Sequence, residues 1–226
     1  MDQAAPSLIV DVHRLEIQAL GFGLVAGVDE AGRGALAGPV VAAAVILPDE
    51  CDIPGVRDSK LVPEPEREEL YELIVARALG WSVGIVSEQV IDEINILQAT
   101  FVAMRQAVGA LSPRAEYVLI DGRDAVEVGI PCRAIIDGDA LCPTIAAASI
   151  IAKVTRDRIM RSLGEVMPQF GFARNKGYAT AAHREAILEH GPAHVHRRTF
   201  LRRLLETPSV PTGGHDDALY TTVQPS

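Results

Sequence analysis

An apolar run that ends in two adjacent carboxylates constrains this chain more than any other feature. The run is Val25-Ala26-Gly27-Val28-Asp29-Glu30, and Ala31-Gly32-Arg33-Gly34 follows at once. It reads as a buried strand. Buried carboxylates are costly unless a cation or a hydrogen-bond donor compensates them. Two of them at the end of a core strand therefore point to a metal site. The Gly-Arg-Gly adds a second indication, because glycine lets backbone N–H groups approach a ligand and arginine suits phosphate. A strand end with two solvated acids and a turn is the plain alternative.

The rest of the chain repeats the pattern. Strands are expected at Leu24–Glu30, Val40–Leu47, Trp81–Val86, Tyr117–Asp121 and Arg133–Asp137. Val40–Leu47 is apolar on both faces and so central. Helices are expected over Pro63–Leu79 and from Ser87 to about Leu111. The first carries Leu70, Leu73, Ile74 and Ala78 on one stripe. The stripe Ile91, Ile94, Leu97, Phe101, Met104 and Val108 of the second is read as core alone. A long helix spans Pro143–Val166, Gly171–Thr180 is a loop, and short helices follow at Ala181–Glu189 and Arg197–Glu206. Residues 1–22 form a leader with an amphipathic turn near Val12–Leu20. The Pro/Gly/Thr-rich tail at 207–226 is expected to be disordered. This order indicates an α/β fold with a mixed sheet.

Three of these strands stop at acids: Asp29-Glu30, Asp121 and Asp139, each with a glycine close by. If the first and fourth strands are neighbours, the acids converge at one edge. Four carboxylates cannot share a small site as bare anions. Hard divalent ions, Mg²⁺ or Mn²⁺, resolve the conflict because they take oxygen ligands. Two such ions can together activate a water and stabilise a leaving oxygen. Adjacent strand residues point to opposite faces. Asp29 and Glu30 thus share one site only if the strand bends or bulges, and Gly32 and Gly34 make a bend plausible.

Bulk properties narrow the class further. Hydrophobic residues make up 48% of 226, enough for a core, but aromatics are only 4%, so Ala, Val, Ile and Leu must fill it. No apolar run reaches membrane-spanning length, and the N-terminus lacks the order of a signal peptide. Cys51, Cys132 and Cys142 lack metal-ligand spacing, and their odd number argues against a disulfide framework. A cytoplasmic monomer is the expectation. The net charge of −9 is unevenly spread: Ile151–Leu205 holds 11 Lys/Arg against 4 Asp/Glu. That segment either offers a polyanion surface or is an ordinary solvated helical face.

Taken in order, the motifs resemble the ribonuclease HII family. They are Val28-Asp29-Glu30-Ala31-Gly32-Arg33-Gly34 with Gly38-Pro39-Val40, Asp58-Ser59-Lys60, and Ile91-Asp92-Glu93-Ile94-Asn95-Ile96-Leu97-Gln98-Ala99-Thr100. Asp121-Gly122, Gly138-Asp139-Ala140 and Ile145 through Asp157 come next, then Asn175-Lys176-Gly177-Tyr178 and His196-Arg197-Arg198-Thr199-Phe200. The resemblance covers about Val25 to Phe200. It implies a ribonuclease H-like fold, a mixed five-stranded sheet flanked by helices, with a catalytic domain over 23–166 and a small C-terminal helical, substrate-binding part over 167–206. It implies cleavage of the RNA strand of RNA–DNA hybrids and incision 5′ to single ribonucleotides in duplex DNA, leaving 3′-hydroxyl and 5′-phosphate ends. The implied metal and catalytic residues are Asp29, Glu30, Asp121 and Asp139, with two Mg²⁺ or Mn²⁺ ions. The ribose 2′-hydroxyl would be read by the Gly32-Arg33-Gly34 backbone and Tyr178. That hydroxyl is what separates RNA from DNA at a given position.

Lys60, Lys153 and Lys176 are candidate phosphate contacts, and Ser149 and Thr155 neutral ones. Asp157 reads either as a helix ion-pair partner or as a group supporting the metal ligands, and stands outside the metal set. Arg197 and Arg198 either flank the DNA or solvate the last helix, and His183 and His196 read as packed or capping residues in preference to proton donors. One local departure stands out: Asp137 occupies a position where the family often has a basic residue, which would weaken a phosphate contact or alter metal preference. Another metal nuclease of the same fold and a non-catalytic hybrid-binding module are the rival readings.

Overall fold

A computed structural model describes residues 11–49, 53, 55–56, 59–60, 62–123 and 126–206. Residues 1–10 of the expected leader, the expected tail, Cys51 and Asp58 lie outside these described residues. The chain runs α1 (Val12–Ala19), β1 (Val25–Ala31), β2 (Val40–Ile46), α2 (Glu64–Arg77), β3 (Gly80–Val86), α3 (Glu88–Ile94), α4 (Ile96–Gly109), β4 (Tyr117–Asp121), β5 (Cys132–Ile135), α5 (Gly138–Leu141) and α6 (Pro143–Val166). Then come α7 (Phe172–Asn175), α8 (Ala181–His190) and α9 (Arg198–Glu206). Among these helices and the other described residues, no helix is long and apolar enough to cross a membrane.

The five strands form one sheet in the order β3-β2-β1-β4-β5. β1–β2 and β2–β3 are antiparallel, whereas β1–β4 and β4–β5 are parallel. The mixed α/β sheet is as the sequence led us to expect, and the first and fourth strands are neighbours, which meets the condition for their acids to converge. β2 is buried at every residue, as its two apolar faces require. On one face Ala42, Ala44 and Ile46 pack with Ala103, Met104 and Ala107 of α4. On the other, Ala43 and Val45 pack with the Ala146–Ala148 run and Ile150 of α6. Small side chains on both sides bring helix and sheet close. At Gly27 a Cβ would lie 2.3 Å from the carbonyl carbon of Thr144, so α6 rests directly on the β1 backbone there.

Several local expectations change. The helix expected from Ser87 to Leu111 is broken at Asn95, which adopts φ 67°. Its side chain accepts hydrogen bonds from Leu97 N and Gln98 N and so starts α4 afresh. The break turns the stripe, and Leu97 is exposed rather than core. Leu73 likewise faces outward, while Leu70 and Ile74 are buried. β5 ends at Ile135, and Asp137 takes a left-handed conformation, φ 55°, which Asp tolerates, to open the extra helix α5. The 171–180 loop contains the short helix α7.

The leader is more than a turn. α1 is a helix whose buried Arg14 donates to the carbonyls of Leu47, Pro48 and Asp49. Asp11 caps α1 and also accepts from the Cys142 thiol, from Thr144 N at 3.1 Å and from Thr144 Oγ1 at 2.6 Å. Burial and this carboxylate push the Cys142 thiol far up, so it stays protonated.

The basic segment is also not the open surface that its charge suggested. Arg156 and Arg197 are fully buried. Arg158 and Arg161 pair with Glu68, Glu72 and Glu64 of α2. The reading of Arg197 as a DNA-flanking or solvated residue is corrected: its guanidinium donates to Gly38 O and Arg33 O. The C-terminal helices close a separate apolar cluster over the end of α6, in which Ala37, Met160, Phe170, Phe172, Ile187 and Leu201 meet. Asp92 of α3 holds them from outside. It accepts from Arg198 N (2.7 Å), Thr199 N (3.0 Å) and Thr199 Oγ1 (2.5 Å), capping α9 from another element.

Within this cluster His183 Nε2 and His196 Nε2 are 3.1 Å apart. Ala193 N donates to His196 Nδ1, so His196 carries its proton on Nε2 and gives it to His183. His183 then carries its own on Nδ1, 2.9 Å from the Tyr178 carbonyl. Both rings are neutral and packed on Phe172. Burial, aided by His183, pushes His196 down to about 4. A histidine held below its unfolded value near 6.5 stabilises the fold fully above that value and loses this as pH falls toward its folded one. The thermal midpoint should therefore fall between pH 6.5 and 4. His196→Asn, which keeps the acceptor for Ala193 N, should lower the midpoint at pH 7 and flatten that slope; differential scanning calorimetry across the window checks it.

Candidate active site

β1 is two residues longer than its parallel partner at the carboxyl end. The β1–β4 register closes with Val28↔Ile120, and the chain leaves β4 at Asp121-Gly122. β1 runs on, paired to β2 without interruption through Ala31↔Val41. No bulge occurs, so the expected bend is not what gathers the acids. The notch left by β4 does so. Asp29 turns to the α6 side, Asp121 stands across the notch, and α5 brings Asp139 over it. Carboxylate oxygens of Asp29, Asp121 and Asp139 all lie within 4.8 Å of one another. Glu30 points to the α4 side, outside that trio, yet it borders the same cleft.

The trio is held by donors rather than left to repel freely. Glu30 N donates to Asp29 Oδ1 at 2.6 Å, and Gly138 N to Asp121 Oδ1 at 2.7 Å. Lys60 Nζ lies 3.3 Å from Asp139 Oδ2, and Arg33 Nη1 lies 3.1 Å from Glu30 Oε1. The Ser59 and Ser149 hydroxyls are 2.7 Å apart beneath Asp29, and Ser149 helps to hold it ionised. Even so, burial first, and then Glu30 and Asp121, raise Asp29 well above the ordinary carboxylate range. Burial also raises Glu30, against the pull of Arg33. An all-oxygen, partly buried, mutually repelling set fits a hard divalent cation, which would remove the repulsion that raises Asp29.

The cleft has a volume of about 520 Å³ and is also lined by Gly32, Arg33, Gly34, Lys60, Lys153 and Tyr178. The sequence-derived residues divide there. Gly34 has open space where a side chain would be, so its backbone faces the cleft freely. Gly32 is different: at φ 97° its absent Cβ would fall 1.9 Å from Arg156 Nε, so packing requires this glycine. Tyr178 is partly exposed on the cleft wall, with Lys153 Nζ 5.7 Å from its ring. Lys153 is bound to Asp157 at 2.6 Å, and Arg67 is 3.2 Å from the same carboxylate, as the ion-pair reading of Asp157 anticipates.

Ser149 is buried against Asp29 and Ser59 rather than on the open wall. Lys176 is nearly buried, with its ammonium on the Ala173 carbonyl and 3.4 Å from Glu64. Asp137 is exposed. Sequence reasoning missed Arg67 as a cleft residue, because a cation in an acidic surface helix carries no signal that it turns inward. It also missed a smaller hollow of about 280 Å³ on the far side of Glu30 and Asp121, lined by Leu97, Thr100, Phe101 and Arg123.

Converging carboxylates at the carboxyl end of a mixed sheet, beside a glycine-lined cleft, define a metal-dependent nuclease of the ribonuclease H-like class. The family model "Ribonuclease HII" matches residues 26–205, and the chain belongs to that family of endoribonucleases. A ribonuclease HII from Acetivibrio thermocellus is 50% identical over 194 residues, covering 86% of this chain and 76% of that protein. The crystal structure of ribonuclease H2 from Pyrococcus horikoshii OT3 is similar with a TM-score of 0.67 at 28% identity, over 82% of this chain and all of that one. RNase HII of Archaeoglobus fulgidus, solved in complex with PCNA, gives 0.66 at 30% identity, over 78% and 94% of the two chains.

Asp29→Asn removes one member of a repelling set but keeps the acceptor for Glu30 N. Without divalent ions it should raise the thermal midpoint at pH 7–8 by about 2–4 °C, equivalent to ~1 kcal/mol at this chain length. It should also abolish the upward shift that Mg²⁺ or Mn²⁺ gives the wild type. Thermal melts with chelator and with each ion check both outcomes.

Proposed function

We propose that this protein hydrolyses the RNA strand of RNA–DNA hybrids and incises duplex DNA on the 5′ side of a single embedded ribonucleotide. The products carry 3′-hydroxyl and 5′-phosphate ends. The observation that carries this reading is one shared cleft: Asp29 and Asp121, whose carboxylates lie within 4.8 Å of each other and of Asp139, line the same space as Gly34 and Tyr178. Phosphate chemistry and sugar recognition therefore adjoin each other.

Asp29, Asp121 and Asp139 are the residues to hold divalent cations, with Glu30 beside them; two Mg²⁺ or Mn²⁺ ions suit this donor set. Such ions supply activation of the attacking water and neutralisation of charge at the phosphate. The protein's own groups do the rest. The open backbone at Gly34 admits a ribose edge that any side chain would exclude. Tyr178 gives a flat ring to the sugar or base and a hydroxyl to the backbone. Lys60 and Arg33, both substantially exposed, are placed to meet phosphate oxygens. Lys153 orients Tyr178 rather than reaching phosphate alone. Asp137, exposed at the turn before Asp139, has at most a modest effect on phosphate affinity. The enzyme acts as a cytoplasmic monomer in ribonucleotide removal during DNA replication and repair; the free, protonated Cys142 suits a reducing compartment.

The test uses an end-labelled DNA duplex with one internal ribonucleotide. Wild-type protein with Mg²⁺ or Mn²⁺ should give a single cut 5′ to the ribonucleotide, lost with chelator and absent from all-DNA duplex. Asp29→Asn and Asp121→Asn should abolish the cut while sparing the fold by circular dichroism. Retained cutting in either variant would remove that residue from the metal set. Tyr178→Phe should lower kcat/KM on this duplex roughly tenfold, the loss of about 1.4 kcal/mol, with little change in thermal midpoint.

A further inference from the structure

Two fully buried arginines stand directly behind the cleft. Arg156 donates from Nε to Pro39 O (3.0 Å), from Nη1 to Lys176 O (3.0 Å) and from Nη2 to Ala37 O (3.1 Å). Arg197 donates to Gly38 O from Nε (3.0 Å) and Nη2 (2.9 Å), to Pro39 O (3.2 Å), and from Nη1 to Arg33 O (2.9 Å). Every acceptor is a backbone carbonyl, and among the described residues neither buried guanidinium has a partner carboxylate in hydrogen-bond contact. Burial, with Arg156 adding to it, pushes Arg197 down to about 9. Two like charges buried together are costly. A fold that needed only to close this loop could do so with apolar side chains.

Their acceptors explain the arrangement. Residues 33–39 belong to the loop that leaves the Gly32–Gly34 turn, and Lys176 precedes Gly177-Tyr178. The loop is clamped on both sides by backbone bonds: Leu36 N to Gly177 O and Arg197 N to Leu36 O, each 2.8 Å. Arg156 touches both recognition elements at once. Its Nε fills the space that a Cβ on Gly32 would take, and its Cζ lies 5.3 Å from the Tyr178 ring centre. A planar fork with fixed donor directions can set the spacing of several carbonyls, where the point charge of lysine cannot.

We infer that Arg156 and Arg197 are positioning residues that set the distance between the Gly32–Gly34 turn and Tyr178, and so determine how strongly the enzyme prefers a ribonucleotide over a deoxyribonucleotide. The inference rests on the reading of that turn and Tyr178 as the ribose contacts. Arg156 joins the two contacts directly. Arg197 fixes the turn from its far side, through Arg33 O, and ties the C-terminal helix α9 to it.

The test is kinetic and uses the full-length active enzyme with Mg²⁺. Arg156→Lys and Arg197→Lys are made separately, each keeping the charge and losing the fork. The substrate is the duplex with one ribonucleotide, and the all-DNA duplex of the same sequence is the competitive inhibitor. In each variant kcat/KM should fall roughly tenfold or more, since a displacement of about 1 Å can cost that much. KM should rise toward the Ki of the all-DNA duplex, that Ki should stay within about twofold of wild type, and the Mg²⁺ concentration for half-maximal rate should not move. A purely structural role gives a lower thermal midpoint and a lower kcat with the ratio of Ki to KM intact, and overturns the inference. If Arg156→Lys does not fold, Arg197→Lys decides alone, because it leaves the contact with Gly32 and Tyr178 untouched. Should wild-type enzyme bind both duplexes equally, the ribose-contact reading itself fails, and nothing remains for the arginines to set. A retained ratio in a folded lysine variant, with wild type discriminating, fails this inference alone.

Discussion

The parallel pairing of β1 with β4 is the constraint on which the rest of the structure depends. It stops at Val28↔Ile120, one residue short of the acids on both strands. Had that pairing continued, Asp121 would be laddered to β1 as it already is to Ile135 of β5, and the carboxylates would stand at regular sheet spacing. Because the chain turns away at Gly122, the side chains of Asp29 and Asp121 meet across open space, and α5 can swing Asp139 over them. The strand itself stays regular, antiparallel to β2 throughout. Regularity explains why Glu30 stands apart from the trio: alternation along a strand places neighbours on opposite faces. The site is thus a fault line between a long strand and a short one, and the sheet on either side makes it rigid.

Much of this was legible beforehand, for a physical reason. Strands buried on both faces must be apolar throughout, so the acids that end them stand out against Val, Ile and Ala. That contrast located Asp29 and Asp121, as well as the central place of β2, whereas Asp139 lies beyond the end of β5, on α5. The mixed sheet followed from the order of the elements. What could not be read were features set by tertiary contact. Asn95 breaks a helix whose apolar spacing runs through it unchanged, because its own side chain caps the next turn. Arg67, Arg156 and Arg197 turn inward from segments whose composition reads as solvated surface. No periodicity announces a guanidinium that binds carbonyls distant in sequence. Gly32 and Gly34 look equivalent in the sequence, but a Cβ on the first would collide with Arg156, whereas the second has open space beside it in the cleft.

The placement of charge follows from the same logic. The acids gather at one end of the sheet and cost stability there. The buried cations sit one layer behind, on carbonyls whose dipoles offset part of their desolvation. Between them lies the turn that presents Gly34. A segment with 11 basic residues therefore contributes less to the outer potential than its count suggests, and more to the stiffness of the cleft wall. Interior hydrogen bonds of this kind are strong because the medium around them is poorly polarisable.

The carboxylate of Asp11 has a consequence for where the folded unit begins. The family model's match starts at residue 26, yet Asp11 satisfies the thiol of Cys142 and both donors of Thr144 at the head of α6. Arg14, one helical turn on, ties down the carbonyls at the end of β2. A chain trimmed to the shared stretch would leave a bare helix terminus immediately behind the segment that carries Asp139. The folded unit is therefore longer than the stretch that the family model matches, and its extra length supports the carboxylate trio from beneath.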